Sequence, residues 1–396
     1  MSTKHLTYLD SLRGMAALTV VFAHYTQFFY SGQFVHAGRL AVCLFFILSG
    51  FVLSRRFLGV EGKKWALIAA VIKRPFRLLG VVWFTVILGL LVNSFTKDIP
   101  ISQYGKTWTQ FVIDFFVSPF STGAIYNGVL WTIHWELWGS MLVFAALLFC
   151  NTFPKYLRLL IFSVILILNI HNFYGAFMIG VIIADIHRNF FWSKLVKYRN
   201  ILSGLMIFIC IATYIMYSSQ SLDAKATVYI NDGLRMVGAI EIFILVMLNT
   251  SFIRYALEWQ PVNFLGNISY SFYAIHALII ITIAETIDTV LKRYLQYDTA
   301  FCCTILITLP MIIFIAWLMD KYIDKPSIRV ADWIAKRAIS IIMPKVAMRG
   351  LKIKEFFRRS VIPAASIAPE LPLADNQIKN FVPAELPSEN RVLNHR

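Results

Sequence analysis

The sequence predicts an all-α, polytopic membrane protein of about ten transmembrane helices with both termini cytoplasmic. Hydrophobic residues fill 58% of the 396 positions and charged residues only 15%, against roughly a quarter charged in an ordinary soluble domain. The apolar residues gather into ten runs, and a bilayer-spanning helix needs about 20 of them. Ten spans therefore use roughly 200 positions, which excludes both disorder and a large soluble domain. The basic excess, a formal net charge of +16, lies between the apolar runs and in the C-terminal part. It reads as an orientation signal toward membrane lipids and not as a nucleic-acid surface.

In chain order the runs centre on residues 14–30, 38–54, 78–95, 129–149, 157–170, 174–187, 201–218, 234–250, 268–287 and 300–319. The fifth and sixth are short for spans, which leaves the count uncertain by one or two. No Ala-x-Ala-like cleavage site follows the first run, so it is read as a retained span. With the N-terminus inside, fourteen Lys or Arg fall in inner connections (Arg55, Arg56, Lys63, Lys64, Lys73, Arg74, Arg77, Lys155, Arg158, Arg188, Lys194, Lys197, Arg199, Arg254) and seven in outer ones, the asymmetry of the positive-inside rule. The five cysteines (Cys43, Cys150, Cys210, Cys302, Cys303) show no metal-ligand spacing, so neither a disulfide framework nor a metal is expected. Residues 335–360 mix Ile, Met and Phe with Lys and Arg and read as a basic amphipathic juxtamembrane segment. Residues 361–396, interrupted by five prolines, read as a disordered cytoplasmic tail.

Ionisable and polar groups inside spans are costly and mark function first. In the first run Arg13 and His24 are eleven residues apart, about three turns, so they share a face and stand about 16 Å apart along the axis. Asp10, one turn earlier, can pair with Arg13. A snorkelling Arg13 and a hydrogen-bonded structural His24 account for the same residues equally well. Lys73-Arg74-Pro75-Phe76-Arg77 precedes the third run, with proline suited to the first turn of a helix. Arg74 and Arg77 would then converge at a helix N-terminus able to hold phosphate, although an ordinary positive-inside cluster explains them too. In Trp131–Ser140, helical spacing puts Thr132, Glu136, Gly139 and Ser140 on one face and His134 on another, so Glu136 should line a cavity and His134 should not. Trp131, Trp135 and Trp138 form a third, packing stripe. Ser269, Tyr273 and His276 recur at i, i+4, i+7, with Tyr270 beside them. Asp185, Glu241 and Glu285 lack such neighbourhoods and rank second.

Taken in order, these segments resemble acyltransferase family 3, which includes bacterial O-antigen and exopolysaccharide O-acetyltransferases. YLDSLRGMAALTVVFAH matches its Leu-Asp-x-Leu-Arg-Gly opening and the Arg…His pair. LAVCLFFILSGFVLS matches its second-span motif, Arg74 and Arg77 its R-x-x-R loop, Trp131 to Glu136 its W-S-L-x-x-E stretch, and Ser269 to His276 its S-Y-x-x-Y-x-x-H stretch. Thr132 and Ile133 replace the usual Ser and Leu, and Asp324-Lys325-Pro326 stands where Glu-x-Pro is common.

The resemblance, over about residues 5–330, implies a membrane acyltransferase domain in the bacterial inner membrane, in a form without an appended esterase-like domain. It implies acetyl-coenzyme A as donor, with no metal, and a glycan or lipid-linked saccharide hydroxyl as acceptor. His24, Glu136 and His276 would be the catalytic group, with His24 as base and the other two orienting it or the acceptor. Arg13, Arg74 and Arg77 would hold the donor, and Asp10, Ser269, Tyr270 and Tyr273 would position substrate. The alternative is a transporter of a lipid-linked glycan or small solute, with His24, Glu136 and His276 as a proton relay. Matching broken spans would favour it, and only Pro310 interrupts a run.

Overall fold

The computed structural model describes residues 6–30, 34–59, 64–95, 112–113, 115–117, 119–121, 127–189, 192, 196–218, 224–248 and 251–360. Among these the protein is all-α. The helices are α1 (Thr7–Phe29), α2 (Val35–Phe57), α3 (Lys64–Phe95), α4 (Trp131–Cys150), α5 (Lys155–Leu168), α6 (Phe173–Asn189), α7 (Arg199–Ser218), α8 (Ala224–Leu248), α9 (Ser251–Glu258), α10 (Gln260–Ile279), α11 (Glu285–Leu291), α12 (Tyr297–Met319) and α13 (Lys325–Ser360). All ten apolar runs lie on helices, because in lipid the backbone must satisfy its own hydrogen bonds. Among the described residues, five stretches are long and apolar enough to cross a membrane: Val35–Phe57, Lys64–Val92, Gly128–Cys150, Gln260–Leu291 and Tyr297–Ile342.

Two differences from the sequence reading matter for the site. The third helix starts at Lys64, well before the apolar run at 78–95, so Pro75 lies inside α3 and not in its first turn. Trp65 to Ile72 is itself an apolar stretch, and the charges that follow it are accommodated within the helix instead of ending it. The second difference concerns Arg158, counted above among loop cations. It is buried and clasps the buried Asp185 through two bonds, Nε to Oδ2 at 3.1 Å and Nη2 to Oδ1 at 2.6 Å. Both residues tie α5 to α6. Residues 361–396, read as a tail, lie outside the described residues.

The described residues fall into two units, divided after Ile341. Within the first, α1 packs along α2 and α10, α2 along α6 and α8, and α10 along α12. One apolar cluster centres on α2 and α6 (Phe46, Ile47, Phe51, Phe177, Val181), and another on α1, α10 and α12 (Val21, Tyr25, Phe272, Ile275, Ile312). Lipid tails are as apolar as these side chains, so close backbone approach has to supply what the hydrophobic effect does not. Glycines provide it. A Cβ at Gly50 would fall on the Phe177 carbonyl oxygen, and one at Gly180 on that of Ile47. Between α1 and α10, a Cβ at Gly14 would meet the Gly266 backbone and one at Gly266 the Asp10 carbonyl.

Backbone cannot yield as a flexible side chain can. Gly50→Ala and Gly266→Ala are therefore each expected to lower thermal stability in detergent, by at least the 1–3 kcal/mol typical of overpacking. Gly204→Ala is the control, since a Cβ there meets nothing within 4 Å. An equal response at all three positions would show that close helix approach is not what these glycines provide.

Candidate active site

The helices enclose a cavity of about 560 Å³. Eight of the ten residues singled out in the sequence line it: Asp10, Arg13, Arg74, Arg77, Glu136, Ser269, Tyr270 and Tyr273. His24 and His276 do not; their rings lie together, and that of His276 packs against the lining residue Tyr273.

The stripes that bring these groups together follow from helical periodicity. Arg13 and His24 share the face of α1 turned to α10, where Arg13 Nε donates to Ser269 Oγ at 2.9 Å and the His24 ring lies 5.2 Å from that of His276, centroid to centroid. Arg13 Nη2 also donates to Asp10 Oδ1 at 2.8 Å, the pairing expected at i, i+3. Arg13 is thus held inside the bundle and does not reach to headgroups. On α4, Glu136 faces the cavity, whereas His134 Nδ1 bonds the Phe120 carbonyl on another side at 2.7 Å. Trp131 and Trp135 pack on Phe173.

Arg74 differs from the expectation. With α3 beginning at Lys64, it sits about 15 Å along the helix, and no helix N-terminus converges with it. It is buried, its Nε donates to Ser140 Oγ at 2.9 Å, and its Nη2 forms an ion pair with Glu136 Oε1. Ser49 Oγ donates to the same carboxylate oxygen at 2.8 Å. Glu136 is therefore bonded to Arg74 and Ser49. This network joins α2, α3 and α4. Arg77, three residues on, lines the cavity with no hydrogen bond or ion pair among the described residues. Its charge acts on Asp324 across the cavity.

The lining also includes groups that sequence reasoning ranked low or missed. Asp320 and Asp324 bracket a five-residue π-helical turn between α12 and α13, both buried, with Lys325 Nζ on Asp320 Oδ2 at 2.5 Å. A π turn is rare and frequent at functional sites. The only sequence signal for it was Asp324 in place of Glu in the Asp-Lys-Pro triplet. Counting Arg13, Arg74, Arg77 and Lys325 against Asp10, Glu136, Asp320 and Asp324, the lining carries four charges of each sign. Three of the four positive charges are guanidiniums on α1 and α3, the forked donors suited to phosphate oxygens.

The two histidines differ in burial, with His24 half-buried. His276 is fully buried, and its Nδ1 lies 2.6 Å from the Tyr273 carbonyl oxygen. A carbonyl only accepts, so Nδ1 carries the hydrogen and the lone pair of the neutral ring is on Nε2. Among the described residues that Nε2 has no partner, and neither has the buried Nδ1 of His24, whose side chain bonds Gln27. Two imidazoles side by side, each with an unsatisfied nitrogen, form a place for a proton or for a hydroxyl. Nearby, Asn127 Nδ2 donates to the Ala274 carbonyl at 2.8 Å and fixes this turn of α10.

Comparison with known families returns one match: the profile described as an acyltransferase domain, that of acyltransferase family 3, covers residues 6–321. No curated protein and no solved structure matches the chain.

Proposed function

The chain belongs to acyltransferase family 3, and on that premise we propose that this membrane acyltransferase is an O-acetyltransferase that moves the acetyl group of cytoplasmic acetyl-coenzyme A to a hydroxyl of a cell-surface glycan. The proposal places it in the bacterial inner membrane with both termini inside. The observation that carries it is one cavity gathering Arg13, Arg74 and Arg77, whose lining residue Tyr273 packs against His276 of the His24–His276 pair.

In this reading the arginines hold the phosphates of the donor and the acyl end points toward the histidines. Arg77, with its donors uncommitted, makes the most direct phosphate contact. Arg13 and Arg74 supply field and shape, being already bonded to Asp10 and Glu136. The acceptor hydroxyl gives its proton to His24 as its oxygen bonds to the thioester carbonyl carbon. Collapse of the tetrahedral adduct breaks the carbon–sulfur bond, and the thiolate takes that proton from His24 to leave as coenzyme A thiol, returning His24 to its neutral form. In this reading the lone pair on His276 Nε2 accepts a hydrogen bond from the protonated His24, the part a carboxylate plays in a hydrolase triad.

The test is transfer of label from acetyl-coenzyme A to an isolated surface glycan by the purified protein, with Arg77→Ala as a second arm. Covalent label is expected on the glycan. Movement of glycan across vesicles without covalent change would instead support the transporter. Arg77→Ala removes an interaction present in both ground and transition states, so apparent donor KM should rise by about tenfold or more at little cost in kcat. Arg77→Lys should recover only part, because an ammonium does not fork onto phosphate. An unchanged donor KM would remove Arg77 from the donor site.

A further inference from the structure

One side chain joins the cavity to the histidines. Tyr273 lines the cavity, and its ring lies tilted against that of His276, which does not line it, centroid to centroid 5.5 Å. The ring is pinned from two further helices. On α2, Phe45 meets it edge-on at 5.8 Å, and on α4 Thr132 Oγ1 donates to its hydroxyl at 3.1 Å. The Tyr273 hydroxyl points on to the Val129 carbonyl at 3.4 Å, the same carbonyl that Thr132 approaches at 3.1 Å. The ring is only 8% exposed. Three helices thus hold Tyr273 where the lining of the arginine-bearing cavity meets an imidazole at 0% exposure.

We propose that Tyr273, latched by Thr132 and backed by Phe45, is a gate between the arginine-lined cavity and the histidine pair, and that it limits the acyl chains admitted to short ones. The inference rests on the acyltransferase reading and deepens it. A thioester held by its phosphates in the cavity reaches His24 only when the Tyr273 ring swings aside. A two-carbon acyl group needs little more than that movement. A longer chain, leading the way toward the histidines, needs the volume that the ring and Phe45 occupy. A latch made of one hydroxyl pair suits such a part, since a single neutral hydrogen bond contributes little net stability and thermal motion opens it readily.

Two measurements on the purified full chain test this. The first does not depend on acyl transfer. His276→Cys is treated with methyl methanethiosulfonate, and labelling of that cysteine is followed by mass spectrometry with and without Tyr273→Leu. Labelling should be slow behind the intact tyrosine and at least about tenfold faster without it. If Tyr273→Leu folds poorly, Thr132→Val carries the same test, because it removes only the latch and should give a smaller increase. Equally fast labelling with Tyr273 and Thr132 intact would overturn the gate. The second measurement compares transfer from acetyl-, butyryl- and octanoyl-coenzyme A. In Tyr273→Leu the octanoyl-to-acetyl rate ratio should rise by about tenfold or more, the scale on which pocket volume discriminates between chains. An unchanged ratio beside normal acetyl transfer would overturn the length limit while the acyltransferase reading stands. No transfer from any donor by the unaltered protein would overturn that reading, and the labelling result would then decide the gate alone.

Discussion

His24→Ala is expected to lower acyl transfer by a factor of about 10² to 10⁴, the range that a positioned base contributes, while donor binding persists. The argument begins with position. His24 is half-buried three turns beyond Arg13 on the face of α1 that meets α10, and its Nδ1 is buried without a partner among the described residues. A polar nitrogen left unsatisfied inside a membrane domain is costly and indicates a task that a static fold does not complete. His24→Gln separates the two roles open to it. Glutamine fills similar space and keeps hydrogen-bonding capacity, but it cannot take a proton, so it should be nearly as inactive as alanine. His276→Ala should cost less, because it removes the acceptor that steadies the protonated base and leaves the base itself. Rates are to be measured at matched protein level, with donor KM alongside. A glutamine variant at His24 that keeps most of the rate would move the base to His276, whose Nε2 carries a lone pair next to the same ring.

The second large effect concerns the buried ion pair of α3 and α4. Arg74 and Glu136 are both largely withdrawn from solvent, their side chains 10% and 17% exposed. Glu136→Ala leaves a guanidinium with only Ser140 as partner, and Arg74→Ala leaves a carboxylate with only Ser49. Breaking a buried pair by removing one member costs about 3–5 kcal/mol, more than the pair itself contributes, because the survivor is stranded. Each single variant is therefore expected to unfold at clearly lower temperature in detergent. The double replacement Arg74→Leu with Glu136→Leu, which strands nothing, should recover much of the loss yet remain defective in donor binding. A double variant as unstable as the sum of the singles would show that the two side chains act independently and that the network joining α2, α3 and α4 is not a unit.

Much of this protein follows from local rules that a sequence carries by itself. The apolar runs became helices because backbone polar groups in lipid have no other partner. Helical spacing paired Asp10 with Arg13, turned Glu136 toward the cavity and His134 away from it, and aligned Ser269, Tyr273 and His276. Each of these depends on residues within about two turns of one another, where the 3.6-residue repeat is the whole of the geometry. Tertiary structure decided the rest. The start of α3 was misplaced because Lys73, Arg74 and Arg77 look like the end of a hydrophobic segment. A charge ends a span only when nothing inside can pair with it, and Arg74 finds Glu136, 62 residues further along the chain. The setting of Tyr273 among three helices, the entry of Asp324 into the cavity and the glycine contacts of α2 with α6 have the same origin. They are set by where separate helices cross, and crossing depends on the summed shapes of many side chains, which no single stretch of sequence contains.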